Sequence, residues 1–319
     1  MNPLLLVEDL AVEFKTRLGK FCAPDGVTFS VFESECVGLV GESGSGKSVT
    51  ALAIMGLLAK NARVARGRIL FDGVDITSGN DHPRGKKMSM VFQNPLNSLN
   101  PNMKIGQQLC EVLEENFKMG KEEARKRVIE TMAKLGIPEA EKMLERYPFE
   151  YSGGMRQRAM IAMAMLCEPK LLIADEPTTA LDVTIQAQIM RLFKQLKSSS
   201  RTSILFISHD LSVVSQIADR IIVMYAGKIC EISPAKQLFE DPLHPYTQGL
   251  IASVPNLKRK GSKLHSIEGN VPSLLDPPSG CRFHPRCNKK LEVCSRQEPP
   301  EVQMKDRIVK CWLYEKAGI

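Results

Sequence analysis

Gly41-Glu42-Ser43-Gly44-Ser45-Gly46-Lys47-Ser48 matches the pattern G-x-x-x-x-G-K-[ST] and lies between the apolar run Cys36–Val40 and the apolar stretch 51–59. Glycines at these spacings let backbone N–H groups wrap a chain of phosphates, and the following helix presents its N-terminal dipole to them. Lys47 would then reach the β- and γ-phosphates, and the Ser48 hydroxyl would ligate Mg²⁺. The stretch predicts a strand, a phosphate-binding loop and a helix, in that order.

A pair of carboxylates forms the second pattern. Asp175 and Glu176 follow the apolar run Leu171–Ala174, which is typical of a buried strand. A strand that ends in two acidic residues is common by itself. In a chain with a phosphate loop, it would deliver Asp175 to the Mg²⁺ shell and place Glu176 near the attacking water. Glu176 is our candidate for the residue that orients or deprotonates that water.

The composition is ordinary for a globular protein: of 319 residues, 43% are hydrophobic and 25% are charged. The longest strongly apolar stretch, 51–59, is far shorter than the roughly 20 residues that cross a bilayer. The start MNPLLLVEDL has no basic region before its apolar run, so no signal peptide is expected. The net charge of +7 is scattered and only 6% of residues are aromatic, so no nucleic-acid partner is expected. We predict a cytosolic protein that reaches a membrane only through partners.

Strand-like and helical segments are interspersed along the chain, as in an α/β protein. The predicted strands are Leu4–Val7, Val27–Val31, Cys36–Val40, Arg68–Phe71, Leu171–Ala174, Ile204–Ser208 and the two arms of a hairpin at 221–232. The spacing of apolar residues predicts helices over Gln108–Phe117 and Glu122–Leu135, and no strand is predicted between residues 105 and 144. After about residue 242, proline and glycine become frequent, which predicts a small loop-rich C-terminal module.

The segment Tyr151-Ser152-Gly153-Gly154-Met155-Arg156-Gln157-Arg158 resembles the signature of ATP-binding cassette (ABC) proteins. The resemblance covers about the first 245 residues. It implies a P-loop NTPase with a RecA-like core, an antiparallel β subdomain and an α-helical signature subdomain at about 94–165. In that family the Ser-Gly-Gly turn faces ATP held by another subunit, so the chain would contain two half-sites. Ser152, Gly153 and Gly154 would then contact the partner's nucleotide.

Three further segments resemble motifs of the same family. Gln93, in Val91-Phe92-Gln93-Asn94-Pro95, is similar to the Q-loop glutamine that contacts Mg²⁺ and water. Ala180-Leu181-Asp182 resembles the D-loop, and His209 resembles the switch histidine that contacts the γ-phosphate. Taken alone, a histidine after a strand is more often structural. In this order and spacing, the resemblance implies an active ATPase.

The resemblance assigns a role to most of these side chains. The aromatic residue that stacks on adenine would be Phe14, and Phe21 is the alternative. Either residue could instead be an ordinary residue of the hydrophobic core. The implied catalytic residues are Lys47, Gln93, Glu176 and His209. The implied nucleotide contacts are Phe14, Gly41, Ser43, Gly44, Ser45, Gly46, Lys47, Ser48, Val49, Gln93, Ser152, Gly153, Gly154, Asp175 and Asp182. The implied Mg²⁺ ligands are Ser48, Gln93 and Asp175.

Two positions depart from the commonest signature. Tyr151 stands where leucine is most frequent, and Met155 stands where glutamine is usual. Both resemble variants found in peptide importers, so neither predicts an inactive site. Leu243-His244-Pro245-Tyr246-Thr247 likewise resembles the segment that begins the C-terminal extension of oligopeptide and dipeptide importer ATPases, although a proline-bounded turn would look the same. These resemblances imply a cassette over residues 1–245 and an extension over residues 246–319.

The extension contains Cys281, Cys287, Cys294 and Cys311, four of the nine cysteines in the chain. Their spacing, C-x5-C-x6-C-x16-C, is neither that of a zinc ribbon nor a common ferredoxin pattern. Four thiolates nevertheless suit a tetrahedral metal or an iron–sulfur cluster, and a small module gains stability from such a staple. The peptide-importer family has cysteines in a similar Gly-Cys-x-Phe-His-Pro-Arg-Cys setting, where several members hold a [4Fe–4S] cluster. Zinc and unligated thiols remain the alternatives.

The other cysteines and the nearby histidine have simpler interpretations. Cys22, Cys36, Cys110, Cys167 and Cys230 are isolated in sequence and are interpreted as small core or surface residues. His284 is either a competing ligand or a turn residue.

The resemblance implies the ATP-hydrolysing subunit of a dipeptide or oligopeptide importer. Its expected partners are a paralogous ABC ATPase or a second copy in a head-to-tail dimer, two transmembrane permease subunits and an extracytoplasmic solute-binding protein. The expected location is the cytoplasmic face of the inner membrane. Nickel or another metal chelate and glutathione are alternative cargoes. A soluble ABC ATPase of translation or DNA repair is the runner-up, and a non-catalytic scaffold subunit is disfavoured by the intact Lys47, Glu176 and His209.

Overall fold

The computed structural model describes residues 2–78, 82–94, 98–179, 181–199, 201–254 and 266–317. These residues form two compact units. The first unit is built from residues 1–32, 36–80 and 207–319, and the second from residues 33–35 and 81–206. No helix in the described ranges is both long and apolar enough to cross a membrane.

An antiparallel sheet occupies the N-terminal part of the first unit. Its strands are β1 (Leu5–Thr16), β2 (Gly19–Cys22), β3 (Val27–Val31), β5 (Ala62–Phe71) and β6 (Val74–Asp75). The order is β2-β1-β5-β6, with β3 paired to β1 as well. Val7, Leu10 and Val12 of β1 are fully buried, so the long strand forms the centre of this layer.

A second group of strands in the first unit positions the phosphate loop. It contains β4 (Cys36–Val40), β10 (Arg220–Tyr225), β11 (Lys228–Pro234), β12 (Glu301–Met304) and β13 (Arg307–Lys310). β10 pairs parallel to β4 and antiparallel to β11. All five residues of β4 are buried, as expected for a parallel strand covered on both faces. The predicted hairpin at 221–232 is present, and Tyr225 pairs with Lys228 across a two-residue turn.

The C-terminal extension contains regular structure that the sequence did not indicate. β13 pairs antiparallel to β11 and to β12, so the extension adds a hairpin to the strands of the cassette. Leu243, Val302, Val309 and Cys311 form a small buried cluster beneath it. The loop-rich description of the module was therefore incomplete: a few apolar residues are enough for a strand when an existing strand edge supplies the hydrogen bonds.

The first unit also contains α1 (Lys47–Ile54), α7 (Leu211–Val214), α8 (Ala235–Glu240) and α9 (Pro245–Ser253). Within the extension, 3-10 turns cover His284–Arg286, Glu292–Ser295 and Trp312–Ala317. α1 begins directly at the end of the phosphate loop, and Thr50, Ala51 and Ile54 are buried against the unit's core.

The second unit combines short parallel strands with a helical region. Its strands are β7 (Met88–Val91), β8 (Leu171–Asp175) and most of β9 (Ser203–Ser208), and β8 lies between the other two. Its helices are α2 (Ile105–Phe117), α3 (Lys121–Lys134), α4 (Ala140–Met143), α5 (Gly153–Met165) and α6 (Val183–Ser199). A 3-10 turn at Pro148–Glu150 precedes α5.

The helices of the second unit follow from the spacing of apolar side chains. Ile105, Leu109 and Leu113 recur every four residues in α2 and are fully buried. Ala124, Val128 and Met132 do the same in α3. Both helices predicted from sequence are therefore present, within a few residues of the expected ends.

Candidate nucleotide site

The phosphate loop connects the end of β4 to the start of α1. Lys47 is only 4% exposed, and its ammonium group donates hydrogen bonds to Gly41 O (2.7 Å), Glu42 O (3.0 Å) and Ser45 Oγ (3.3 Å). Ser43 and Gly44 at the crest of the loop are exposed, whereas Ser48 and Val49 are half-buried. The loop is thus closed around its own lysine, with its crest open to solvent.

Backbone geometry explains why glycine begins this loop. Gly41 has a φ of 154°, and a Cβ there would lie 2.1 Å from Met224 O of β10. Gly46 also has a positive φ, 99°, at the N-cap of α1. On the other side, Gly227 N in the β10–β11 turn donates to Ser45 O at 3.0 Å. Any larger residue at position 41 would displace the loop from the strand that supports it.

Three other candidate site residues belong to the same unit. Phe14 and Phe21 face each other on β1 and β2, and their rings are stacked with centroids 5.1 Å apart. His209 follows β9 directly and is exposed. The next residue, Asp210, caps α7 by accepting the Ser212 N–H at 2.8 Å. The backbone that follows His209 is therefore fixed by the start of α7.

In the second unit, the glutamine and glutamate candidates meet. Gln93 Nε2 donates to Glu176 Oε2 at 3.0 Å, and the Thr179 hydroxyl donates to the same oxygen at 2.8 Å. Asp175 is buried at the end of β8, and Glu176 is partly exposed. Thr179 was missed by the sequence interpretation, although a hydroxyl three residues after an acidic residue in a turn was an available signal.

The signature segment starts α5. The Ser152 side chain accepts the Met155 N–H at 3.3 Å and caps the helix. A Cβ on Gly154 would lie 3.0 Å from Ile185 of α6, whereas one on Gly153 would meet nothing within 4 Å. Packing against Ile185 therefore favours glycine at position 154, in addition to the nucleotide contact implied by resemblance.

The departure at Tyr151 has a structural explanation. Its ring is buried, and its hydroxyl donates to Met143 O at 2.9 Å, tying the end of α4 to the start of α5. Burial raises the pKa of this phenol well above its ordinary value. A leucine at position 151 could fill the pocket but could not make this hydrogen bond.

The described part of the D-loop begins the next helix. Asp182 is exposed, and its Oδ1 accepts the Ile185 N–H at 2.9 Å. Ala180 lies outside the described residues. The structure thus brings Gln93 and Glu176 together in one unit and holds Lys47 in a closed loop in the other.

The four cysteines of the extension lie within electrostatic range of one another. Burial, with a smaller contribution from the neighbouring thiols, raises the pKa values of Cys281 and Cys311 to about 11 each. Backbone N–H groups two residues further along the chain donate towards three of the sulfurs: Phe283 to Cys281, Lys289 to Cys287 and Leu313 to Cys311. Leu291 N donates to Cys294 Sγ at 3.4 Å. Each thiolate would therefore be stabilised by a backbone donor.

This arrangement bears on which group the cysteines suit. Within the described ranges, no group of three or more His, Cys, Asp or Glu side chains could hold a metal ion. A single zinc ion needs four ligands that converge on one point at about 2.3 Å from sulfur, and the thiols are not so arranged. An iron–sulfur cluster is a larger body that takes thiolates further apart, and N–H donors to sulfur suit it. The absence of a metal-binding group among the described side chains counts against zinc and a cluster alike.

The structure adds detail on two single residues, Cys230 of β11 and His284 of the extension. Cys230 is not isolated in the fold: it is buried within electrostatic range of Cys281 and Cys311. Its position on β11, far from the others in sequence, concealed this. His284 begins a 3-10 turn, and its Nδ1 lies 2.9 Å from Cys281 O.

Comparison with protein families places most of the chain. Residues 24–179 match the ABC transporter family, and residues 230–294 match the C-terminal region of oligopeptide/dipeptide transporters. The dipeptide transport ATP-binding protein DppD of Bacillus subtilis is 48% identical over 99% of this chain and 96% of its own length. The oligopeptide transport ATP-binding protein OppD of Escherichia coli is 49% identical over 98% of this chain and 93% of its own length.

Solved structures confirm the predicted fold class. The cbiO1 protein of Clostridium perfringens, part of the ABC transporter complex cbiONQ, covers 76% of this chain and 92% of its own, with a TM-score of 0.64 and 28% identity. The ATP-binding cassette MJ0796, as a post-hydrolysis dimer with ADP and phosphate, covers 72% and 98% with a TM-score of 0.65 and 26% identity. This chain belongs to the ABC ATPases, within the group of oligopeptide and dipeptide transport ATP-binding proteins.

Proposed function

We propose that this chain is the ATP-hydrolysing subunit of a membrane importer for dipeptides or oligopeptides. The observation that carries the catalytic part is the hydrogen bond from Gln93 to Glu176, because it holds a carboxylate at the end of β8 where the family binds the attacking water. The cargo is supported by DppD and OppD, two peptide-transport relatives that align with 99% and 98% of the chain, extension included. The proposed division is a cassette at 1–245, with its helical subdomain at about 94–165, and an extension at 246–319.

The proposed roles follow from chemistry. Lys47, released from the loop carbonyls, would neutralise the β- and γ-phosphates, while backbone N–H groups of the loop bind the phosphate oxygens. Glu176 would accept a proton from the attacking water, and Gln93 would orient both the Glu176 carboxylate and that water. Mg²⁺, held by Ser48, Gln93 and Asp175, would neutralise the charge that develops on the transferred phosphoryl group. His209 would contact the γ-phosphate, and Phe14 is the proposed adenine contact.

The signature makes the proposed site a shared one. Ser152, Gly153, Gly154 and Asp182 would face the nucleotide of a second cassette, either a paralogue or another copy, in a head-to-tail dimer. ATP binding would join the cassettes and hydrolysis would release them. Two permease subunits and an extracytoplasmic solute-binding protein would complete the importer. The proposed location is therefore peripheral, at the cytoplasmic face of the inner membrane.

The transport proposal is tested by purifying the tagged chain from membranes and reconstituting whatever accompanies it. We expect permease subunits, and ATP-dependent uptake of a labelled di- or oligopeptide into vesicles supplied with the solute-binding protein. A complex in which this subunit carries Glu176→Gln is the matched control and should show no uptake. Recovery with ribosomes or DNA and no membrane protein would contradict import. Uptake of a nickel chelate or glutathione instead of peptide would reassign the cargo.

We further propose that Cys281, Cys287, Cys294 and Cys311 hold a [4Fe–4S] cluster. Two properties support it: the four thiols lie within mutual electrostatic range, and each has a backbone N–H donor. The proposed group would act as a covalent staple for a module whose own apolar cluster is small. No catalytic step requires it.

The cluster proposal is tested on protein purified without oxygen. We expect broad absorbance near roughly 400 nm and about four iron and four sulfide per chain, as for such clusters in general. Cys294→Ser should lose iron and absorbance, whereas Cys110→Ser, in α2, should retain both. Colourless protein with stoichiometric zinc, or with no metal and four titratable thiols, would overturn the proposal.

A further inference from the structure

The extension contacts the phosphate loop through an arginine. The 3-10 turn His284–Arg286 places the Arg286 guanidinium against Glu42, the second residue of the loop. Nη1 lies 2.7 Å from Glu42 Oε2 and Nη2 lies 3.2 Å from Oε1, so the pair is bidentate. Such a fork fixes the orientation of the carboxylate as well as neutralising its charge.

The environment of Arg286 is built to hold that orientation. Its side chain is only 5% exposed. Besides Glu42, Nε donates to Glu268 O (2.9 Å), Nη1 to the Tyr225 hydroxyl (3.2 Å) and Nη2 to Ile267 O (3.0 Å). All five N–H groups of the guanidinium are therefore used. A lysine has one nitrogen and could not reproduce this set.

A tyrosine of the same extension holds the backbone of Glu42. The Tyr246 hydroxyl accepts the Glu42 N–H at 2.9 Å. Tyr246 is fully buried, and its ring packs on Tyr225 and Phe283 with centroids 4.6 Å and 5.3 Å away. Glu42 is thus held at its backbone by α9 and at its side chain by the 3-10 turn.

A second arginine reaches the far side of the loop. Arg282 donates to Ala226 O in the β10–β11 turn and pairs with Asp25 at 2.6 Å. The adjacent Gly227 N–H donates to Ser45 O. Arg286 therefore contacts one end of the phosphate loop directly, at Glu42. Arg282 contacts the other end indirectly, through the β10–β11 turn that bonds to Ser45.

The negative charge of Glu42 is the reason that Arg286 matters for nucleotide binding. A carboxylate on a loop that binds polyphosphate would repel the ligand unless it is neutralised and held aside. Glu42 O also accepts a hydrogen bond from the Lys47 ammonium, so a shift of Glu42 would move the lysine that meets the phosphates.

We propose that Arg286, together with Tyr246, is a positioning residue of the phosphate loop, and that the C-terminal extension is thereby part of the nucleotide site. Arg286 acts through Glu42 and contacts no phosphate itself. The inference rests on ATP binding by this chain and requires no group on the cysteines. A chain that transports no peptide but loses MgATP affinity on Arg286 substitution would leave it intact.

The test measures MgATP binding to the full-length chain by calorimetry, and the KM and kcat of ATP hydrolysis in the assembled transporter. We expect Arg286→Gln and Arg286→Lys each to weaken binding and raise KM about tenfold, the loss of one charge-assisted contact, with kcat within about twofold. In the double variant Glu42→Gln/Arg286→Gln, most of the lost affinity should return. The matched control is Lys310→Gln, which removes a cation of the same extension that pairs with Glu301.

Several outcomes would overturn the proposal. One is wild-type affinity in Arg286→Gln, and another is a double variant whose loss equals the sum of the single losses. If Arg286→Gln fails to fold, Tyr246→Phe decides, since it keeps the ring and removes only the acceptor of the Glu42 N–H. Tyr246→Phe should weaken MgATP binding about threefold at unchanged melting temperature, and unchanged affinity would refute the role.

Discussion

Glu176 combines a reactive side chain with an unusual backbone. Its φ is 47°, in the left-handed region that non-glycine residues rarely adopt. Strain of this kind costs on the order of 1 kcal/mol and persists where neighbours determine the conformation. Gln93 and Thr179 supply that constraint by donating to one carboxylate oxygen. The two donors therefore fix the orientation of the carboxylate through one of its oxygens.

We expect Glu176→Gln to bind ATP normally and to lower turnover by at least about 100-fold. The amide keeps the shape of the side chain and its hydrogen bonds but cannot take a proton from water. A loss of about 100-fold in turnover is typical when a general base is removed. Stalled ATP should also stabilise the cassette dimer, measurable by size-exclusion chromatography with ATP.

The matched control is Glu168→Gln, which changes an exposed acidic residue of the same unit that pairs with Arg127 at 2.9 Å. Its turnover should stay within about twofold, because surface pairs contribute little. Normal hydrolysis by Glu176→Gln would remove that residue from the proposed role.

At the scale of elements, α9 begins with a buried histidine as its cap. His244 Nδ1 accepts the Tyr246 N–H at 3.0 Å, which requires an unprotonated nitrogen. Burial lowers the pKa of His244 from 6.5 to about 3. Its backbone N–H donates to the Glu231 carboxylate at 2.8 Å.

This cap makes folding sensitive to acid. The folded pKa lies below the unfolded one, so the stabilisation is complete above about pH 6.5 and is lost as the pH falls towards 3. Between pH 7 and pH 5 the histidine should account for about 2 kcal/mol of lost unfolding free energy. Chemical denaturation across that range measures it.

Substitution isolates the contribution of His244. His244→Asn keeps a cap acceptor without the titration, so its stability should fall less between pH 7 and pH 5. His82→Asn, a histidine of the other unit, should keep the wild-type slope. Parallel pH profiles for wild type and His244→Asn would contradict the prediction.

At the scale of the molecule, a buried ion pair anchors the extension to the cassette strands. Glu231 of β11 is fully buried, and Arg307 of β13 lies 3.2 Å from its Oε1. Leu243 N and His244 N donate to the same carboxylate. Arg307 also pairs with Asp241 at 3.0 Å. One carboxylate thus connects a central hairpin, a helix start and the terminal hairpin.

Arg307→Gln should lower the unfolding free energy by about 3 kcal/mol, since removing one partner of a buried pair leaves an uncompensated charge. Hydrogen exchange at the β13 amides should rise first. Lys310→Gln, which breaks the more exposed pair with Glu301, should cost less than about 1 kcal/mol. Equal effects of the two substitutions would contradict the prediction.

The features of this molecule that could be predicted from the sequence are formed by contiguous segments. The phosphate loop, the strand ending in Asp175, the hairpin at 221–232 and the helices α2 and α3 were all predicted, because each depends on local backbone geometry or on the spacing of apolar residues. The hairpin of β12 and β13 was missed because its strands are short and rely on the edge of β11 for their hydrogen bonds. Cys230 is a buried core residue, as one of its two interpretations had it, but its nearness to Cys281 and Cys311 was missed because only the fold brings β11 close to those thiols.

The sequence alone determined that this chain is a P-loop ATPase of the ABC family, because Gly41–Ser48 and the signature impose their geometry within a few residues. The tertiary structure decided what holds that geometry in place. Tyr246 and Arg286 reach Glu42 across 204 and 244 residues of chain. No local pattern marks a tyrosine or an arginine for such a contact, since pairing over that distance is set by packing of the whole unit. The residues that form the phosphate loop are therefore contiguous in sequence, whereas residues that support the loop come from a distant segment of the chain.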